Sequence, residues 1–540
     1  MKSAFSQCMT GSVALVTAIP LIAVLHALTV SDQGSSAHLW ATVLPDYIRN
    51  TALLMTVTGT LAAAIGVGCA WTVTSMDFPG RRILSGALVL PLAAPAYIIA
   101  YLYTDLLEYS GPVQTLLRTT FEWNSDDYWF PQIRSLVGAG VMLALVLYPY
   151  VYLLAKASFA AQSRSQFLAA RTLGLSPMSA FLRIALPAAR PAIAGGTALV
   201  LMETLADFGV ADYFAIPTFS TGIFRTWLAM GDQVGAMKLA GIMLIFVIVL
   251  VTLENISRRG HVQSNDRLSD APPPFTLSPF GSSLAITFCM IPILFGFIIP
   301  ITVLGWHMTN VGDGQSSLTI LGYAQNSLVI ASVCAVTATV IALLLAFAQR
   351  ERTAPKQYRR LRKISIQIAT LGYALPGALL ALGILGPFGS LDQALTRMSR
   401  HLLNSNHGLL LTGSIALLAY ALVIRFLTVS FNSVNGGLEK IPPNLEAAAR
   451  SLGAGTFKTM WRIQTPLLLP SIMTASGLVF IDVMRELPAT LILRPFNFET
   501  LATRVYRLAS DERLAEASTA ALIIVLLGII PVILLNRAKL

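Results

Sequence analysis

Apolar residues run through this chain in long unbroken blocks, and charged residues gather in short segments between them. Residues 3–31, 50–76, 83–104, 135–155, 271–312, 314–349, 364–391, 401–424, 463–481 and 517–536 contain no Asp, Glu, Lys or Arg. A helix of about 20 apolar residues crosses the hydrocarbon core of a bilayer. Blocks of this length therefore predict membrane spans rather than strands or a soluble core. Twelve spans are expected, near 11–30, 51–72, 85–107, 135–156, 192–213, 237–255, 283–305, 326–348, 364–386, 409–431, 471–494 and 515–536. The expected fold class is all-α and membrane-integral. Composition agrees, with 55% hydrophobic and only 12% charged residues, about half the roughly 25% charge of soluble domains. Lys2 is followed by an apolar run from about Gly11 without a small-residue cleavage site, which reads as a retained first span.

Charge adds the orientation. The excess of 37 basic over 26 acidic residues would fit a polyanion partner if it were clustered, but its distribution follows the spans. On the segmentation above, the N-terminus, the even-numbered connections and the C-terminus carry 23 Lys/Arg; the opposite side carries nine and the spans five. The positive-inside rule places the first set, with both termini, in the cytoplasm. No nucleic-acid partner is implied. The four cysteines, Cys8, Cys69, Cys289 and Cys334, lack CxxC spacing and read as small hydrophobic residues. The six histidines show no metal-ligand spacing.

The chain also repeats itself. Segment 165–193 aligns without gaps to 444–472, an offset of 279, matching Ala169, Ala170, Arg171, Leu173, Gly174, Arg183, Pro187 and Pro191 to Ala448, Ala449, Arg450, Leu452, Gly453, Arg462, Pro466 and Pro470. The same offset carries Arg225 onto Arg504 and Asp232 onto Asp511, while upstream 47–51 resembles 323–327 at an offset of 276. Six predicted spans separate the two loops, so both emerge on one face and the halves are parallel repeats. The expected units are 1–255 (core about 50–255) and 283–540 (core about 322–536), joined by a cytoplasmic linker over 256–282 that turns Pro-rich at its end.

Each copy of the repeated loop has an Ala-rich stretch ending at Gly174 or Gly453, then an amphipathic stretch, then Pro187 or Pro466 thirteen residues after the glycine. Ala favours helix at little bulk, Gly lets the chain reverse and Pro starts a further helix. The product is a short surface helix suited to another protein's groove. An interfacial helix with no partner would look similar, but two copies in register favour docking.

This pattern resembles the "EAA" loop of bacterial ABC-type importer permeases, where it forms the coupling helix that seats in the nucleotide-binding subunit. In the second copy Ala448, Ala449, Gly453 and Pro466 fit, with the acid one position early at Glu446; in the first, Ala169, Ala170, Gly174 and Pro187 remain, and Phe167 and Leu168 replace any acid. The segments around Glu203–Gly209 and 482–506 resemble the fused, double-unit ferric-iron permeases, an architecture shared with thiamine and phosphonate permeases. The resemblance implies a type I importer fold in the bacterial plasma membrane, an ATPase dimer on the cytoplasmic face and an extracytoplasmic binding protein. It also implies that the chain binds no cofactor, with ATP and Mg on the partner ATPase. No Gly-Lys dipeptide occurs, so no phosphate-binding Walker loop is present.

Four acids fall inside predicted spans: Glu203 and Asp207 in the fifth, Asp482 and Glu486 in the eleventh. The i, i+4 spacing would put each pair on one helix face. A charge at the bilayer centre costs about 2.5–3.5 kcal/mol on insertion scales, so the acids need a partner, water or a polar route. Pairing with Arg485 or Arg425, hydration near the outer interface, and a pathway between the halves are all open on the sequence alone. A secondary transporter driven by H⁺ or Na⁺ is the rival class, with these acids as coupling sites. A membrane enzyme lacks any nucleophile–base constellation.

Overall fold

The structure is a computed structural model describing residues 2–30, 42–162, 172, 174, 176–258, 275–310, 317–350, 356–403 and 409–537. Eleven helices among the described residues are long and apolar enough to cross a membrane, and a twelfth crossing is a bent pair. In chain order they are α1 (Ser6–Ala27), α2 (Leu44–Ser75), the bent α3 (Arg81–Ala93 with Ala96–Phe121), α4 (Leu136–Ala160), α5 (Met178–Ala206) and α6 (Gln233–Leu253). The second set is α7 (Pro279–Asn310), α8 (Leu318–Arg350), α9 (Gly377–Arg400), α10 (Ile415–Lys440), α11 (Met460–Met484) and α12 (Leu514–Val532).

The repeat is visible in packing and in hydrogen bonds. Helices α2, α4 and α5 form one three-helix core, and α8, α10 and α11 form its counterpart. The Asn50 side chain donates to the Pro217 carbonyl at 3.1 Å and Asn326 donates to the Glu499 carbonyl at 3.0 Å. One residue on, the backbone N–H of Phe219 donates to the Thr51 hydroxyl at 3.2 Å, and that of Leu501 to the Ser327 hydroxyl at 2.8 Å. These pairs bear out the 276 offset upstream. They also correct the downstream register. Thr218 with Thr221 and Thr500 with Thr503 form equivalent capping boxes, an offset of 282 that pairs Arg225 with Arg507 rather than Arg504. Three residues enter the loop after α11, where hydrophobic periodicity gives no register.

Four spans break where the predicted segment had read as continuous. The third predicted span, 85–107, turns through 90° between its two limbs. Pro95 is the extended residue at that turn, and the residue before a proline is held out of helical geometry. The ninth, 364–386, straddles the same device in the second half: the helix Lys356–Ala369 ends, a single turn Gly372–Ala374 follows, and α9 begins after Pro376. That span then runs on through Asp392, whose carboxylate leaves the helix to accept the backbone N–H groups of Leu410, Leu411 and Thr412. The fifth and eleventh, 192–213 and 471–494, stop at Ala206 and Met484.

Pro187 and Pro466 also differ from expectation, because they do not start new helices. Each lies inside one continuous span, just beyond a π-helical stretch, Phe181–Ala185 or Met460–Gln464. The wider π turn rearranges the carbonyls that a proline ring would strike in a regular helix.

The first helix of each half crosses to the other. Helix α1 lies against α9 and the helix Lys356–Ala369, with the Tyr420 hydroxyl donating to the Val16 carbonyl at 2.6 Å. Helix α7 lies against α2 and the first limb of α3, and the Tyr103 hydroxyl donates to the Phe295 carbonyl at 2.6 Å. The connecting segment enters this second unit through a two-residue parallel pairing of Met76–Asp77 with Phe275–Thr276. Most of the linker, 259–274, lies outside the described residues.

Candidate translocation site

The breaks in α5 and α11 build the site. Helix α5 ends at Ala206 and Asp207 turns extended (φ −66°, ψ 129°). Its carboxylate accepts the N–H groups of Val210 and Ala211, each at 3.1 Å, capping the short helix Gly209–Tyr213. In the second half Glu486 takes the same part, accepting the Ala489 N–H at 3.2 Å ahead of the helix Pro488–Leu493. Unpaired N–H groups at a helix start favour a carboxylate there. The two acids of each pair therefore do not share one helix face as the i, i+4 spacing had implied. Glu203 and Asp482 stay on the last turns of the spans, while Asp207 and Glu486 lie past their ends.

All four acids nonetheless line one cavity of about 90 Å³ between the halves. Its walls come from Pro95–Tyr97 of α3, the early half of α4 and the break after α5 on one side, and from Arg425 of α10 and the break after α11 on the other. Two arginines enter it, both from the second half. Arg425 donates to Glu486 at 2.7 Å, and both side chains are 6% exposed, so this is a buried pair. A Cβ on Gly377 would collide with Arg425 Nη1 and Glu486 Oε1, so the pair depends on a glycine at the start of α9. Arg485 pairs with Asp482 at 2.5 Å rather than with its chain neighbour Glu486. It also reaches the other half, donating to the Leu92 carbonyl at 2.9 Å and the Tyr150 hydroxyl at 3.0 Å. No arginine or lysine forms an ion pair with Glu203 or Asp207 among the described residues, and Glu203 lies beside Tyr373.

A second cavity, of about 520 Å³, lies between this chamber and the face that carries the repeated loops. Tyr150 and Leu153 of α4, Thr428 and Ser433 of α10, and Tyr373 line it, and Asp482 and Arg485 border both cavities. The opposite side is bridged by contacts between the halves. There the Tyr506 hydroxyl donates to Asp212 at 2.8 Å across the halves, Tyr101 and Tyr213 meet edge-on at 4.4 Å, and Arg134 bridges Glu108 at 2.7 Å and Glu512 at 3.9 Å. The wider cavity thus lies on the loop side of the chamber, and the cross-half contacts lie on the other. Among the described residues no three His, Cys, Asp or Glu side chains converge closely enough to hold a metal ion.

The loops themselves are partly described. Ala169 and Ala170 lie outside the described residues. In the second copy the helix Pro443–Ser451 ends where Gly453 takes φ +79°, and the Ala454 N–H donates back to the Ala449 carbonyl at 2.9 Å, a glycine-dependent helix stop. Gly174 takes φ +74° in the first copy. An added Cβ at either glycine would meet nothing within 4 Å, so glycine is needed there for backbone geometry and not for space. Ala448 is exposed and Ala449 buried, and the exposed Leu445, Leu452 and Trp461 give this face an apolar surface. Glu446 points inward instead, to Arg350 at the end of α8 and to Gln464, whose amide donates at 2.7 Å. If an ATPase seats on this loop, as the resemblance implies, Gly453→Val is expected to leave insertion intact while reducing cargo-stimulated ATP hydrolysis several-fold. A variant with normal stimulation would show that the turn does not shape the docking face.

Comparison with known proteins agrees with this architecture. Residues 62–259 and 338–538 each match the family described as binding-protein-dependent transport system inner membrane component. The chain is 26% identical to the Fe(3+)-transport system permease protein FbpB 2 of Haemophilus influenzae, over 96% of this chain and 94% of that one. It is 22% identical to the ferric transport system permease protein FbpB of Actinobacillus pleuropneumoniae, over 89% of this chain and 70% of that one. With the molybdenum transport system permease protein ModB of Escherichia coli it shares 28% identity over 36% of this chain and 86% of the other. With two matched units, a duplicated core and the chamber between them, the chain belongs to the family of inner membrane components of binding-protein-dependent transport systems.

Proposed function

We propose that this chain is the permease subunit of an ATP-binding-cassette importer, and that its cargo is ferric iron delivered by an extracytoplasmic binding protein. The observation that carries the reading is the chamber between the halves, where four carboxylates face two guanidinium groups. Its formal charge is negative, and hard oxygen donors suit a hard cation. Relatives named for molybdenum and sulfate transport match about a third of the chain, and an oxyanion would meet net repulsion in this chamber. Full-length relatives are named for ferric iron. ATP and Mg would bind a partner ATPase dimer seated on the two loops, with both termini on that cytoplasmic side, and this chain would hold no cofactor.

The test is uptake per inserted molecule in cells carrying the permease with its ATPase and binding protein. Glu203→Gln and Asp207→Asn strand no arginine, so abundance should hold. Ferric uptake should fall about tenfold, the effect of ~1.4 kcal/mol, and further when combined with Glu486→Gln. Thiamine uptake that tracks the permease while iron does not would overturn the cargo. Uptake that follows a proton or sodium gradient without ATP would overturn the class.

A further inference from the structure

We propose that Arg485 is a resident cation: it occupies the cargo's carboxylate while the chamber is empty, latches the two halves together, and is displaced when the cargo cation arrives. The inference rests on reading the chamber as a cation route. Arg485 and Asp482 stand on the boundary between the acidic chamber and the wide cavity facing the loops. Every polar contact of this guanidinium is either the carboxylate of Asp482 at 2.5 Å or a group of the opposite half, the Leu92 carbonyl at 2.9 Å and the Tyr150 hydroxyl at 3.0 Å. One side chain thus closes the boundary and ties the halves across it.

Chemistry sets the exchange. Guanidinium keeps its proton at any physiological pH, so it cannot leave Asp482 by neutralisation; it leaves only if a stronger cation takes its place. A hard multivalent cation binds carboxylate oxygen better than guanidinium does, and at close range its charge repels Arg485. A monovalent ion gives no such advantage. Displacement breaks the contacts to Leu92 and Tyr150 together and opens the boundary toward the loops. Once the cation has passed, Arg485 returns to Asp482, so the carboxylate does not retain the metal. Glu203, Tyr150, Tyr373, Arg425 and Glu486 surround the same point, and among them the only other cation, Arg425, is already paired with Glu486. The first half supplies no equivalent: Ala206 stands 279 residues before Arg485 and Val146 stands 279 before Arg425. The latch is therefore built once, from the second half.

The experiment has two arms. Purified permease is dialysed against gallium(III) citrate, a redox-inert trivalent probe, and retained metal per chain is measured. Ferric uptake per inserted molecule is measured in parallel. Wild type should retain little metal, and Arg485→Gln should retain about tenfold more while its uptake falls about tenfold, a differential affinity of ordinary coupling size. Arg485→Lys, which keeps the charge but not the fork, should retain little metal and transport at an intermediate rate. Asp482→Asn combined with Arg485→Gln should abolish the retention. If Arg485→Gln lowers abundance, this charge-balanced double variant still reads the latch. Wild-type uptake and retention in Arg485→Gln would overturn the proposal, as would reduced abundance with both quantities normal per molecule. Wild type that carries no iron would sink the cargo reading, while the gallium arm still decides the latch.

Discussion

Replacing Arg425 with methionine is expected to lower the amount of membrane-inserted, folded protein more than any other single change in the chamber. The variant leaves Glu486 in a site where both members of the pair are 6% exposed, with the Ala489 N–H as its one remaining partner among the described residues. Removing one member of a buried ion pair costs about 3–5 kcal/mol in soluble proteins, and losses of even about 1–2 kcal/mol change cellular abundance several-fold. The pair is not an isolated decoration, since Gly377 is held free of a side chain to admit it. The double variant Arg425→Met with Glu486→Met removes both charges and is expected to restore most of the abundance. Immunoblots of washed membranes and thermal unfolding in detergent read the result. An Arg425→Met protein at wild-type level would show that Glu486 is solvated from the chamber and needs no arginine.

The second large effect is expected at Arg350. Its guanidinium pairs with Glu446 and donates to the carbonyls of Leu438 and Ile441, the latter at 2.7 Å. That one side chain ties together the end of α8, the end of α10 and the helix Pro443–Ser451. Charge-assisted hydrogen bonds of this kind contribute about 1.5–3 kcal/mol each. Arg350→Ala is expected to free the loop from the spans, so that the reconstituted transporter keeps basal ATP hydrolysis while cargo moved per ATP falls about tenfold, a loss of ~1.4 kcal/mol of coupling. In the first half Phe167 and Thr74 occupy the corresponding positions by the two offsets, so Thr74→Ala is expected to have no such effect. Equal losses at both sites, or none at Arg350, would refute the tie. Glu446 itself is engaged with Arg350 and Gln464, and the exposed surface of this loop combines apolar Leu445, Leu452 and Trp461 with Lys458 and Arg462.

Why some of this was legible along the chain and some was not has a physical basis. A bilayer imposes length and apolarity on every span, so α1, α2, α4, α7, α8 and α12 fall where uncharged blocks lie. Duplication leaves Gly174 and Gly453 in register because both must take positive φ. The acids stood out because an uncompensated charge in hydrocarbon is costly. Hydropathy, however, does not register a break that stays apolar. Pro95 and Pro376 interrupt spans without changing their polarity, whereas the turns after Ala206 and Met484 begin at Asp207 and at Arg485-Glu486, and it is these last two breaks that aim the acids into the chamber.

Partner choice was beyond local reasoning. Arg485 adjoins Glu486 in the chain yet pairs with Asp482, because the helix end turns its side chain toward Leu92 and Tyr150, more than 300 residues away. Arg425 finds Glu486 from 61 residues away and Arg350 finds Glu446 from a different span. Membrane residence, the twofold repeat and the identity of the charged residues follow from one-dimensional constraints, since each reflects a rule acting on the chain within a few turns. Which charges meet and where the two cavities lie follow from how two related bundles close on each other. Those outcomes depend on backbone breaks and long-range packing, where several pairings satisfy the same local rules and only the assembled geometry selects one.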